Sequence, residues 1–139
     1  MHLTYRNDLA ELNRLAADIA AFAAEHGVDE EAVHAFNLCL DELFTNIVSY
    51  GYPGGGEHTI ELDLRADAVE AVAILRDDAR AFDPLTQAPH PDLNAPIESR
   101  KIGGLGVYFV KVLMTRVSYR REGRHNVLEM ARARDWKPA

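Results

Sequence analysis

The 139-residue chain holds one cysteine, Cys39, and one tryptophan, Trp136. A single thiol rules out an intramolecular disulfide and any zinc cage built on cysteine. No apolar run approaches the roughly 18 residues that a membrane span needs. The opening segment MHLTYRND has no apolar stretch of the kind a secretory leader carries. Disulfide-stapled miniproteins, zinc fingers and membrane spans are thereby excluded, and a cytoplasmic protein without a membrane partner is expected. Basic residues are also scarce over most of the chain: positions 1–99 hold 5 against 19 acidic ones, whereas 100–139 hold 10 against 3. That asymmetry fits a surface for an anion, or simply the solvated sides of the last strands. The basic third lacks helix-turn-helix spacing and the net charge is −7, so direct nucleic-acid binding is not expected.

What is present suits one globular domain over 1–139, with 47% hydrophobic and 27% charged residues. His2 to Arg6 reads as a short edge strand. Asn7 and Asp8 offer N-cap side chains to a helix of about 18 residues from Leu9, whose apolar positions recur at helical spacing as far as the C-cap candidate Gly27. A second helix starts near Asp29 and presents Val33, Phe36, Leu40, Leu43, Phe44, Ile47 and Val48 on one face. Tyr50-Gly51-Tyr52-Pro53 and three glycines stop it. The period then changes to two: Thr59–Arg65 and Val69–Leu75 read as antiparallel strands. Residues 83–102, with Pro84, Pro89, Pro91 and Pro96, form a long connection of the kind that serves as a lid. A third helix is expected from Val107 to about Thr115, opened by Gly103-Gly104-Leu105-Gly106. Strands at Val117–Arg121 and Asn126–Ala131 close the chain. The fold class expected is α+β, a two-layer sandwich with a mixed or antiparallel sheet and its helices on one face.

Three elements carry chemistry. On the second helix, Glu42 and Asn46 stand one turn apart, away from the apolar sector and among Ala35, Leu38, Cys39 and Ser49. A carboxylate and an amide in such company suggest a semi-enclosed pocket, or else a surface pair. At the end of the second central strand, Asp77 or Asp78 either terminates the strand or places a carboxylate at the mouth of a cleft. Gly103 to Gly106, preceded by Arg100 and Lys101, combine free backbone N–H groups with a helix dipole, which makes an anion site. The alternative there is a hinge without a ligand. Cys39 reads as a small buried residue.

In this order the three elements resemble the boxes of the Bergerat-fold (GHKL) ATPases, and more closely the small anti-sigma factor serine kinases of bacteria. Glu42-Leu43-Phe44-Thr45-Asn46 is similar to the family's N box. Asp77-Asp78-Ala79-Arg80-Ala81-Phe82-Asp83-Pro84 is similar to its first glycine box, and Gly103-Gly104-Leu105-Gly106 to its second. The resemblance covers roughly residues 2–131. It implies a Bergerat ATP-binding fold with a lid, and ATP and Mg²⁺ as ligands. It implies that Asn46 binds the metal, an oxygen donor suited to Mg²⁺. Glu42 would act as base toward an attacking hydroxyl, and Asp77 would accept the adenine amino group, with Ala79 beside it. Lys101, Gly103, Gly104, Leu105 and Gly106 would hold the phosphates.

The function so implied is that of an ATP-binding anti-sigma regulatory factor, a protein serine/threonine kinase acting on an anti-sigma factor antagonist. Its partners would be that antagonist and a sigma factor, and a homodimer is expected. The alternative is a non-catalytic or weakly nucleotide-binding adaptor. Two residues depart from the family pattern. Ala79 replaces a usual glycine, which costs on the order of 1 kcal/mol if the backbone is left-handed there. Tyr50 stands where relatives often carry histidine.

Overall fold

The computed structural model describes residues 1–87 and 104–136. The chain opens with β1 (His2–Arg6), a 3₁₀ turn (Leu9–Glu11), α1 (Leu12–His26) and α2 (Glu30–Tyr50). There follow β2 (Thr59–Ala66), β3 (Glu70–Asp77), the short α3 (Pro84–Gln87), α4 (Gly104–Leu113), β4 (Arg116–Glu122) and β5 (His125–Ala133). The five strands form one sheet in the order β1-β2-β3-β5-β4, and every neighbouring pair is antiparallel. The open choice between a mixed and an antiparallel sheet thus resolves to antiparallel.

Local chemistry sets the element ends. Asp8 caps the first turn, its carboxylate accepting from Ala10 N–H at 2.9 Å. Glu11 folds back to accept from Arg6 N–H at 2.9 Å and is held by Arg14 at 2.6 Å. This tight reciprocal arrangement makes residues 9–11 a 3₁₀ turn where the sequence suggested that the α-helix had already begun. Gly27 terminates α1 in the left-handed conformation, at φ 65°. Asp29 caps α2 through Ala32 N–H at 2.8 Å.

One face of the sheet is covered. Tyr5, Ile60, Leu62, Leu64, Ala73, Leu75, Leu128 and Met130 alternate inward along their strands and meet Leu15, Ile19, Phe22, Phe36, Leu40, Leu43 and Phe44 of α1 and α2. The other face carries no helix among the described residues and is covered by cross-strand ion pairs. Arg116 pairs with Glu70 at 2.8 Å and also with Glu129, Arg120 with Glu122 at 2.7 Å, and Arg76 with Glu61 at 3.4 Å. Of the C-terminal arginines, Arg116 thereby meets an acid from the first two-thirds of the chain and Arg120 a neighbouring one on the solvated side of its own strand; such partly exposed pairs contribute little each, about 0–1 kcal/mol.

α4 differs from the expected helix. It starts at Gly104 rather than Val107 and ends at Leu113 rather than Thr115. Glycine costs a helix about 1 kcal/mol in its interior, but the first turn tolerates it. At the other end, Thr115 N–H is taken by the Ala131 carbonyl at 2.8 Å, which pulls the chain into the sheet.

Candidate active site

α2 packs against α4 as well as against the sheet and α1. Its apolar sector is fully committed to the core, which leaves Glu42 and Asn46, both half-buried, on another side of the helix. The Asn46 carbonyl oxygen Oδ1 is buried and has no hydrogen-bond partner among the described residues. A buried acceptor without a donor costs about 1–3 kcal/mol, so native proteins seldom keep one without a use. Oδ1 is a hard oxygen donor of the sort Mg²⁺ takes, and the residue therefore fits the metal implied by the resemblance. Among the described residues no group of three His, Cys, Asp or Glu side chains could hold a metal by itself. A metal at Asn46 would accordingly draw most of its oxygens from phosphate and water.

The end of α2 touches the second predicted element directly. The Gly51 carbonyl accepts from Arg80 N–H at 3.1 Å. A Cβ placed on Gly51 would lie 2.7 Å from the Ala79 Cβ, closer than real methyl groups approach. The end of α2 and the loop after β3 thus form one contiguous wall. Ala79 is buried, and no non-glycine residue among those described has a positive φ. The left-handed strain considered for alanine at this position does not occur, and its methyl group fills the space left by Gly51.

Asp77 lies at the end of β3 and is 5% exposed. Its Oδ1 accepts from Ala79 N–H at 2.9 Å and from Asn126 Nδ2 at 2.9 Å. Burial pushes its carboxyl above the usual range; the Asn126 and Ala79 hydrogen bonds oppose this, the Asp78 charge adds to it, and Arg121 counters it. Asp78 points elsewhere. It accepts from Tyr52 Oη at 2.9 Å and bonds His58 Nδ1 at 3.2 Å, with the two rings stacked 4.0 Å apart. Burial raises the Asp78 carboxyl, but the His58 and Tyr52 bonds outweigh this and hold it below its ordinary value. Two adjacent aspartates are thereby separated into an enclosed one and a loop anchor.

Asn126 was not among the sequence candidates. It stands opposite Asp77 in the β3–β5 register and is 7% exposed. Its signal was present in the sequence: it occupies the inward parity of β5 shared with Leu128 and Met130, where a polar side chain has to find partners. Arg121, on β4, supports the same loop by donating to the Ala79 carbonyl at 2.9 Å.

Gly104, Leu105 and Gly106 form the first turn of α4, where backbone N–H groups lack intrahelical partners. Lys111 Nζ ties this helix to α3 through the Leu85 carbonyl at 3.2 Å. Lys101, Gly103 and residues 88–102 of the expected lid lie outside the described residues. Tyr50 is exposed. Cys39 is fully buried and its thiol is pushed up to about 12, mainly by burial, so it is no nucleophile.

An antiparallel sheet with helices on one face, a helix carrying Glu42 and Asn46, and an enclosed strand-end aspartate match an ATPase domain of the histidine-kinase type. The Histidine kinase-like ATPase domain family matches residues 5–132, and the chain belongs to it. It is similar to the serine/threonine-protein kinase BtrW of Bordetella bronchiseptica, at 34% identity over 93 residues, 67% of this chain and 65% of that protein. The match thus spans just under two-thirds of BtrW. The serine-protein kinase RsbW of Listeria monocytogenes is 28% identical over 130 residues, 88% of this chain and 80% of that one. Among solved structures, the RsbU and RsbW domains of Rv1364c from Mycobacterium tuberculosis superpose with a TM-score of 0.65 at 13% identity, covering 100% of this chain and 34% of theirs. The histidine kinase domain of the blue-light activated kinase of Erythrobacter litoralis superposes with a TM-score of 0.57 at 17% identity, covering 91% and 60%. These structural likenesses show the fold. No helix among the described residues is long and apolar enough to cross a membrane.

Proposed function

We propose that the chain binds Mg-ATP and phosphorylates a serine or threonine of an anti-sigma factor antagonist, with a sigma factor as the alternate partner in a cytoplasmic switch. Family membership and the kinase names of its relatives support this reading. The observation that carries it is the Asn46 Oδ1 left without a partner among the described residues, one helical turn from Glu42 on the helix whose end meets the Asp77–Ala79 loop. Asp77 accepts the amino group of the base, with Ala79 alongside, and Asn46 holds the metal. Mg²⁺ held there would supply positive charge to offset that of the nucleotide phosphates. The N–H groups of Gly104, Leu105 and Gly106, with Gly103 and Lys101, hold the phosphates. Glu42 takes the proton of the attacking hydroxyl as its oxygen bonds the γ-phosphorus and the bond to the β-phosphate oxygen breaks, releasing ADP. The working assembly in this proposal is a homodimer.

The test is phosphotransfer from γ-labelled ATP to candidate antagonist proteins, run beside Glu42→Ala. Label appearing on an antagonist, lost in the variant while ATP still binds, is the expected result. ATP binding with no transfer to any antagonist would return the reading to an adaptor.

A further inference from the structure

We propose that Asn126 is the positioning residue that gives the base pocket its discrimination for a 6-amino purine, by saturating one oxygen of Asp77 and leaving the other as the acceptor. The inference rests on the nucleotide reading above. Its ground is a complete set of hydrogen bonds on one buried side chain. Asn126 Oδ1 accepts from Phe82 N–H at 3.2 Å and from Tyr119 Oη at 2.5 Å. A backbone N–H can only donate, so this bond fixes which end of the amide is oxygen. Nδ2 therefore donates, to Asp77 Oδ1 at 2.9 Å and to the Arg80 carbonyl at 2.9 Å.

Asp77 Oδ1 then has two donors, Asn126 Nδ2 and Ala79 N–H. Asp77 Oδ2 receives no hydrogen bond from the described residues. A proton on Asp77 would have to sit on Oδ2, because Oδ1 already faces two donors. Without that proton, Oδ2 is a pure acceptor, matched to an exocyclic amino group and mismatched to a 6-oxo group, which also only accepts. The amide holds three partners at once: the carboxylate, the 80–82 backbone and the Tyr119 hydroxyl. It thus sets the orientation of the recognising oxygen without needing to touch the base.

The test compares binding of Mg-ATP with that of purine riboside triphosphate, which lacks the 6-amino group, by calorimetry on the unaltered protein, Asn126→Ala and Asn126→Asp. The aspartate variant keeps the side-chain size and the acceptor for Phe82 N–H but removes the donor to Asp77. A hydrogen bond to a charged group supports a preference of about 10- to 100-fold for ATP in the unaltered protein. In both variants that ratio should fall to within about threefold of unity, with the analogue's own affinity nearly unchanged. Equal loss of both nucleotides, or an unchanged ratio in a folded Asn126→Asp, overturns the inference and makes Asn126 merely structural. Absence of ATP binding by the unaltered protein overturns the nucleotide reading itself, a distinct result.

Discussion

The methyl group of Ala79 occupies the space that Gly51 leaves at the end of α2, so close that a second methyl at 51 would lie 2.7 Å from it. The same added methyl would also meet the Ile47 carbonyl oxygen at 2.6 Å. Gly51→Ala should therefore destabilise by about 1–3 kcal/mol through overpacking. Gly51→Ala with Ala79→Gly should recover part of that loss, since the Ile47 contact remains. Urea unfolding of the two single variants and the double gives the coupling. Strict additivity would show that the two positions do not share one space.

Asn46 offers a case in which a binding residue works against stability. Its Oδ1 has no hydrogen bond to lose among the described residues, and alanine is the better helix former by several tenths of a kcal/mol. Asn46→Ala should leave the nucleotide-free protein as stable as before or about 1 kcal/mol more stable. It should also abolish any Mg²⁺ dependence of ATP binding. Thermal melts without nucleotide and calorimetry with and without Mg²⁺ check the two halves separately. A large drop in melting temperature would mean that Asn46 is structural.

Much of this arrangement was legible because each signal was local. Strict alternation located β2 to within two residues, β4 and β5 were placed as closely, and Gly27 after a run of period 3.6 gave the left-handed cap. The positions of Glu42 and Asn46 followed from helical geometry alone. The start of α4 was misread because glycines look like loop, although the first helical turn has few hydrogen bonds for them to weaken. The Gly51–Ala79 contact and the Asn126–Asp77 bond join segments far apart in the chain. They depend on how α2 meets the β3 loop and on the β3–β5 register, which no local pattern states. For the same reason the family comparison at position 79 suggested a cost that the actual backbone does not bear.

Asp77 makes stability depend on pH with a definite sign. Its carboxyl is raised, first by burial, so the native state holds the proton more tightly than the unfolded chain does. Its contribution therefore falls as pH climbs from about 4, the ordinary carboxylate value, through the elevated native value. Asp77→Asn should remove that downward slope and make the protein more stable at pH 7, while ATP affinity drops about 100-fold or more for want of the acceptor. The check is the difference between the two melting-temperature curves from pH 4 to 8. A constant offset across that range would mean that Asp77 does not titrate there.

Arg132 is 4% exposed and holds the end of α4 to the sheet. Its Nη1 donates to the Leu113 carbonyl at 2.7 Å, Nη2 lies 3.5 Å from Glu31, and the guanidinium stands 5.0 Å from the centre of the Trp136 ring. Arg132→Ala should cost about 2–4 kcal/mol, because it strips a partner from an enclosed helix-end carbonyl and opens a void. Arg132→Met refills the volume without the charge and should recover part of the loss. Amide exchange separates this local role from a global one. Met114 N–H, bonded to the Val110 carbonyl in the last turn of α4, should exchange faster in both variants, beyond what the change in global stability accounts for. If Met114 exchange tracked global stability alone, α4 would be held by its packing on α2, and Arg132 would serve the sheet rather than the helix that carries Gly104 to Gly106.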